Sequence, residues 1–113
     1  MATSPVIEER TNTMEAKARL VQLIQSQWPG FTVECWDDRD ERGMRVRIER
    51  TQDSRDFILD DEVLADYTPK AILNGLVRWN WMLFLGEWRK NGVIPHFTNV
   101  GWWVPDDPHP TRI

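Results

Sequence analysis

Residues 31–49, FTVECWDDRDERGMRVRIE, decide the fold. Apolar side chains occupy every second position in the first six residues of this stretch and again in the last six, which is the period of a strand with one buried face. The polar segment between them ends in Gly43 and favours a hairpin connection. We therefore predict two antiparallel strands. Their apolar positions are Phe31, Val33, Cys35, Met44, Val46 and Ile48.

The register of this hairpin follows from the requirement that the apolar positions of both strands share one face. We expect Cys35 to lie on the face of Met44, with Glu34 opposite Arg45, so that a pair of opposite charges supports the pairing. Cys35 is then predicted to be a buried core thiol.

A helix is predicted before the hairpin, over residues 12–28. Asn12 is a suitable N-cap, and Glu15, three positions later, completes a capping-box pattern. The Pro29-Gly30 pair ends this helix. Apolar residues recur along it at helical spacing, at Met14, Leu20, Val21, Ile24 and Trp28.

A third strand over residues 55–59 follows the hairpin, and an acidic segment over 60–67 with a single helical turn comes next. Thr68 as N-cap and Pro69 at the first helical position predict the start of a long second helix. We expect this helix to end at Lys90, just before an Asn-Gly pair that is typical of a helix end.

The second helix carries more apolar surface than one sheet can cover. On a helical wheel its apolar side chains form two stripes, displaced by about a third of a turn. We expect one stripe to face the sheet and the other to be covered by the chain's own tail, by a second copy or by another protein. The stripes are Ile72, Leu76, Trp79 and Leu83, and Leu73, Val77, Trp81, Phe84 and Trp88.

The C-terminal part is rich in tryptophan and proline. Residues 97–104, which contain Trp102-Trp103, are predicted to form a fourth strand or an apolar strap. The sequence thus predicts one α+β domain over 12–104 with the order α-β-β-β-α, in which an antiparallel three-stranded sheet carries both helices on one face. Residues 1–11 and 105–113 are predicted to be a flexible arm and a flexible tail.

Length, charge and cysteine usage restrict the class of protein. A chain of 113 residues is long enough for one domain with its own core. Its net charge of −4 differs from the positive excess typical of nucleic-acid-binding proteins. Cys35 is the only cysteine, the N-terminus lacks the apolar core of a signal peptide, and no apolar run is long enough for a membrane span. We therefore expect a cytoplasmic protein without a membrane partner.

No motif in the sequence indicates a reaction. The only histidines are His96 and His109, and nothing in the sequence places Cys35 beside either of them. The acidic residues at 53–66 lack the ligand spacing and the glycine of a calcium loop, and two histidines without neighbouring cysteines make a poor zinc site. We predict no catalytic residue, no metal and no cofactor, and hence a protein that is not an enzyme.

Nucleic-acid binding is the alternative interpretation. The element order is similar to that of double-stranded-RNA-binding domains, but the position where those domains carry glycines and lysines reads Tyr67-Thr68-Pro69-Lys70-Ala71 here, after an acidic run. The alternative site is a smaller face on the exposed side of the sheet, where aromatic and arginine side chains would stack single-stranded bases. Its residues would be Trp36, Arg45, Arg47 and Arg50.

The leading interpretation is a small protein-binding or adaptor protein that acts as a homodimer. Small acidic chaperones of bacterial secretion systems share its general character of a short, acidic, α+β and dimeric chain, which is an analogy of class without a shared motif. The contact surface is predicted on the second helix and the tryptophan-rich segment. Its residues are Trp81, Phe84, Trp88, Trp102 and Trp103.

Overall fold

The computed structural model describes residues 9–87 and 93–104, so the predicted flexible tail and most of the predicted arm lie outside the described residues. The α+β class is confirmed, but the described part holds more elements than the predicted α-β-β-β-α order. They are α1 (Met14–Gln27), β1 (Thr32–Asp38), β2 (Gly43–Arg50), β3 (Asp53–Asp60), α2 (Asp61–Asp66), α3 (Pro69–Arg78), α4 (Trp81–Glu87), β4 (His96–Thr98) and β5 (Gly101–Trp103).

The sheet is mixed and has the strand order β1-β2-β3-β4-β5. β1, β2 and β3 are antiparallel as predicted, whereas β4 runs parallel to β3 and pairs antiparallel with β5. The predicted three-stranded sheet is therefore part of a larger one. The predicted strand or strap at 97–104 is a short hairpin instead, because the chain turns back at Asn99-Val100 and pairs Thr98 with Gly101.

The register of β1 with β2 differs by two residues from the predicted one. Glu34 lies opposite Arg47, because β1 continues to Asp38, which pairs with Gly43, and the centre of the turn therefore lies one residue later than predicted. Arg42 closes this turn with a left-handed φ of +57°. A shift of two residues keeps every side chain on its predicted face, since side chains alternate with a period of two.

The first helix begins one residue later than predicted. Thr13, not Asn12, is the N-cap, and its hydroxyl accepts a hydrogen bond from the backbone N–H of Ala16 at 3.1 Å. Thr11 is buried, and both its backbone N–H and its hydroxyl donate to the carbonyl oxygen of Tyr67, at 3.0 and 2.8 Å. These two bonds attach the chain before α1 to the end of α2.

The predicted long helix over 68–90 is interrupted. It begins as predicted, since the Thr68 hydroxyl accepts a hydrogen bond from the Ala71 N–H at 3.2 Å. α3 then ends, because Asn80 takes a left-handed φ of +54°, a conformation that asparagine tolerates better than most residues. The chain resumes a helix at Trp81 as α4.

This interruption redistributes the two predicted apolar stripes. Leu76 is fully buried, whereas Leu83 from the same stripe is 54% exposed. Val77 is exposed, whereas Trp81 from the other stripe is only 2% exposed. The predicted stripes fail because a wheel assumes one continuous helix, and α3 and α4 have separate inward directions.

The helices cover one face of the sheet, here called the inner face. Buried residues of the helices and of this face form one cluster, which is the hydrophobic core. Because side chains alternate along each strand, Trp102 lies on the inner face and Trp103 on the opposite, outer face. Large members of the core are Leu20, Ile24, Met44, Val46, Ile48, Phe57, Leu59, Ile72, Leu76, Trp81 and Phe97.

Gly101 holds the indole ring of Trp79 against β5. A Cβ atom at Gly101 would lie 2.8 Å from Cε2 of that ring, and the φ of Gly101 is +106°. Gly30 has a φ of +86°, but no atom beyond its chain neighbours lies within 4 Å of an added Cβ. Both glycines have a φ at which a residue with a Cβ atom is strained, and they differ in the ring contact.

We expect Gly101→Ala to destabilise the protein more than Gly30→Ala. Alanine at a left-handed position is strained by about 1–2 kcal/mol in both variants, but only the alanine at position 101 also displaces the ring of Trp79. The midpoints of urea unfolding measure the two losses. Equal losses would show that the contact between Trp79 and Gly101 contributes nothing.

Candidate functional site

Large apolar side chains are exposed where α3 meets α4. Four of them lie within seven residues of each other, and Val100 in the β4–β5 turn, next to the Gly101 that contacts Trp79, is exposed as well. Exposed apolar residues are normally scattered, so this group is a candidate interaction surface. We call it the apolar elbow, and its residues are Val77, Trp79, Met82, Leu83 and Val100.

The edge of the sheet beside the elbow carries no charge. β5 is the last strand of the described sheet, and residues 96–104, HFTNVGWWV, contain no Asp, Glu, Lys or Arg. The opposite edge, β1, carries Glu34, Asp37 and Asp38. Charged side chains on edge strands prevent pairing with other chains. The β5 edge lacks this protection.

Three of the predicted contact residues pack inside the chain. Trp81 lies in the core, with ring centroids 5.6 Å from Trp28 and 6.3 Å from Phe57, both at edge-on angles. Phe84 stacks on Trp102 at 4.5 Å with the rings 14° apart. The β4–β5 hairpin therefore covers part of α4 from within the chain.

The remaining predicted contact residues have different positions. Trp103 lies on the outer face, half exposed, with its ring 5.1 Å from the ring of His96. Trp88 lies outside the described residues. The sequence did not single out Trp79 or Leu83 as contact residues, because the interruption at Asn80 that exposes them has no clear sequence signal.

Two of the three arginines of the predicted nucleic-acid face are bound by a carboxylate. Arg45 and Arg47 each donate from Nε to Asp56, at 2.8 Å in both cases. Their guanidinium groups also lie 5.7 and 5.2 Å from the ring centroid of Trp36. Arg50 lies over a different aromatic ring, 4.6 Å from its centroid. These arginines thus have partners within the chain.

The charge on Asp56 depends on these arginines. Burial alone would raise the pKa of the Asp56 carboxyl, but hydrogen bonds from Arg47 and Arg45 outweigh burial and hold the pKa below its ordinary value. The same hydrogen bond raises the pKa of Arg47. The group is therefore a carboxylate shared by two cations.

We expect Asp56→Asn to reduce the acid sensitivity of the fold. A carboxyl whose pKa is lower in the folded than in the unfolded state stabilises the fold fully above the unfolded value, about 4, and loses that contribution as the pH falls through the folded value. The midpoints of urea unfolding near pH 7 and at about pH 3 measure this loss of stability. The wild type should lose more stability between them than the variant.

Asp40→Asn is the matched control for this experiment, because Asp40 is exposed and has no ion pair within the described residues. Its acid sensitivity should equal that of the wild type. If Asp56→Asn and Asp40→Asn respond to acid in the same way, the ion pairs of Asp56 do not determine the acid sensitivity of the fold.

His96 has surroundings that the sequence did not reveal. It is buried, its Nδ1 lies 2.7 Å from Oδ1 of Asp60, and its Nε2 lies 3.3 Å from Oε1 of Glu41. An open cleft of about 610 Å³ borders this cluster and is lined by Trp103 as well. The two acids precede His96 by 36 and 55 residues, so no motif spacing finds them.

This cluster is suited to holding β4 in place. A histidine acts as a general base or acid when one ring nitrogen faces a substrate, but both nitrogens of His96 face carboxylates. No serine, threonine, cysteine or lysine is among the residues that line the cleft. His96 connects β4 to the end of β3 and to the β1–β2 turn.

Comparison of the chain with protein-family models, with curated proteins and with solved structures gives no match. Within residues 9–87 and 93–104, no helix has the length and apolar character to cross a membrane. In the same part of the chain, no group of three histidine, cysteine or acidic side chains is placed to hold a metal ion. The elbow and the β5 edge are interpreted from their own geometry.

Proposed function

We propose that this protein is a small, non-enzymatic protein-binding protein of adaptor or chaperone-like character that acts as a homodimer. The observation that carries the proposal is the apolar elbow beside the uncharged β5 edge. A cytoplasmic location fits a chain whose single cysteine forms no internal disulfide.

The elbow provides the driving force for association. Trp79 and Leu83 are 50% and 54% exposed, so roughly half of each side chain is left to bury. Full burial of such a side chain contributes about 2 kcal/mol, and half of it about 1 kcal/mol. Several such residues in one place offset part of the entropy that association costs.

A second copy is the occupant that fits the β5 edge. Two identical edge strands pair antiparallel across a two-fold axis, and such an axis closes the assembly as a dimer. No Asp, Glu, Lys or Arg within residues 96–104 opposes this approach, although the whole chain carries −4. Because Trp79 contacts Gly101, pairing at β5 also brings the elbow to the interface.

The aromatic residues predicted to form the interface have different roles in the proposed dimer. Trp103 is kept as a contact residue, since its ring is exposed beside the edge. Trp81, Phe84 and Trp102 support the interface from within the chain, because their rings pack on one another and on the core. Trp88 remains a prediction.

The two other functions are less well supported. An enzyme would need a free catalytic group, and both ring nitrogens of His96 face carboxylates. Nucleic-acid binding would need Arg45 and Arg47 to leave Asp56, which neutralises part of their charge at the face that would meet phosphates.

We expect the wild type to have twice the 13.4 kDa chain mass in analytical ultracentrifugation. The double variant Leu83→Lys and Trp103→Lys should raise the dimer dissociation constant by about 100-fold or more, because it removes apolar contacts and places like charges across the two-fold axis. Circular dichroism verifies that the variant remains folded.

Met14→Lys is the matched control, because Met14 is an apolar residue of α1 that is 87% exposed and lies outside the elbow. It should dimerise like the wild type. A wild type that stays monomeric over the accessible concentration range refutes the homodimer. A double variant that dimerises normally refutes the elbow and the β5 edge as its interface.

A further inference from the structure

A cavity of about 310 Å³ lies between α3 and the β4–β5 hairpin. It is separate from the cleft at His96, and it shares only Trp79 with the apolar elbow. Its volume is at the lower end of the range of about 300–1,000 Å³ found for small-molecule sites. A compound of one or two rings fits this size.

Aromatic rings form much of the wall. Tyr67 and Trp79 are half exposed at the mouth, and Phe97 is buried at the base. Gly75 keeps the base open, since a Cβ atom there would lie 3.3 Å from Cζ of Phe97 and would fill the space above the ring. Rings on several sides favour a planar ligand.

Polar groups at the mouth define the charge of the ligand. Arg78 lines the cavity beside the amide of Asn74, and its guanidinium has no ion-pair partner within the part of the chain that the structure describes. Thr98 and Asn99 on the rim are engaged: Thr98 donates to the Gly101 carbonyl at 2.8 Å, and Asn99 donates to Asp66 at 3.3 Å.

Arg78, like Arg42 and Arg50, differs from the four arginines of the described chain that bind carboxylates. Those side chains each bind at least one aspartate. A guanidinium binds a carboxylate through two parallel hydrogen bonds. The arginines with aspartate partners are Arg39, Arg45, Arg47 and Arg55.

We propose that this cavity binds a small planar aromatic carboxylate. The ring of the ligand lies between Tyr67 and Trp79, and its carboxylate binds Arg78 with the Asn74 amide as a second donor. This site goes beyond the proposed function, since Arg78 and Tyr67 belong to the cavity and not to the elbow.

The test uses benzoate, cinnamate and indole-3-acetate as probes, each beside its neutral carboxamide. Binding is followed by ¹H–¹⁵N NMR of the full chain, at the backbone amide of Gly75 and the indole N–H of Trp79. At least one carboxylate should bind with a dissociation constant of about 1 mM or lower, as ligands of this size do. Its carboxamide should bind about tenfold more weakly or worse.

Two variants assign the binding to the cavity. Arg78→Gln should weaken the best carboxylate about tenfold and leave its carboxamide unchanged, because only the charged hydrogen bonds are lost. Tyr67→Ala should weaken both, because one wall is lost. Arg50→Gln is the matched control, since Arg50 lies over a ring outside the cavity. It should bind like the wild type.

The Leu83→Lys variant separates this site from self-association. Leu83 belongs to the elbow and does not line the cavity, so this variant should still bind the carboxylate, and at least as tightly as the wild type, because a dimer that buries Trp79 would compete with the ligand. The proposal is overturned if no carboxylate shifts the Gly75 and Trp79 signals, if the carboxamides bind equally well, or if Arg78→Gln has no effect.

Discussion

Asn80 separates two tryptophans, of which one is buried in the core and the other is exposed at the surface. With its left-handed backbone it ends α3 and lets α4 start with a different inward direction, so Trp81 enters the core while Trp79 stays at the surface against Gly101. In an uninterrupted helix the residues around Trp81 would keep the direction set by Leu76. The core of α4, the position of the hairpin and the exposure of the elbow all depend on this single change in backbone direction.

The β4–β5 hairpin is held from both faces of the sheet. On the inner face Trp102 packs against Phe57 and Phe84, and on the outer face His96 bridges two carboxylates. The backbone adds a bond from the N–H of Ile58 to the carbonyl preceding β4 at 2.9 Å. A strand pair of only three residues each thus presents a defined edge, which short strands without such support do not.

Local signals in the sequence predicted the elements that depend on local physics. The alternation around Val46 gave the faces of β1 and β2, and Thr68 gave the start of α3, because neighbouring residues determine both. The interruption at Asn80 was missed, since a left-handed residue within an apolar run is stabilised by tertiary contacts. The parallel pairing of β4 and the acids around His96 depend on residues distant in the chain, which a single sequence does not connect. The exposure of Leu83 in the elbow was missed for the same reason, because it results from the interruption at Asn80.

The parallel pairing of β3 with β4 also sets an order of events during synthesis. β4 follows β3 by more than thirty residues, so the growing chain exposes β3 as its outer strand for about 2–7 s at usual translation rates. That temporary edge carries Asp53, Arg55, Asp56 and Asp60, charges that discourage pairing with other nascent chains. The uncharged edge forms only when the hairpin docks. The outer strand of the sheet is thus charged while the chain is incomplete, and it carries no Asp, Glu, Lys or Arg once β5 has docked.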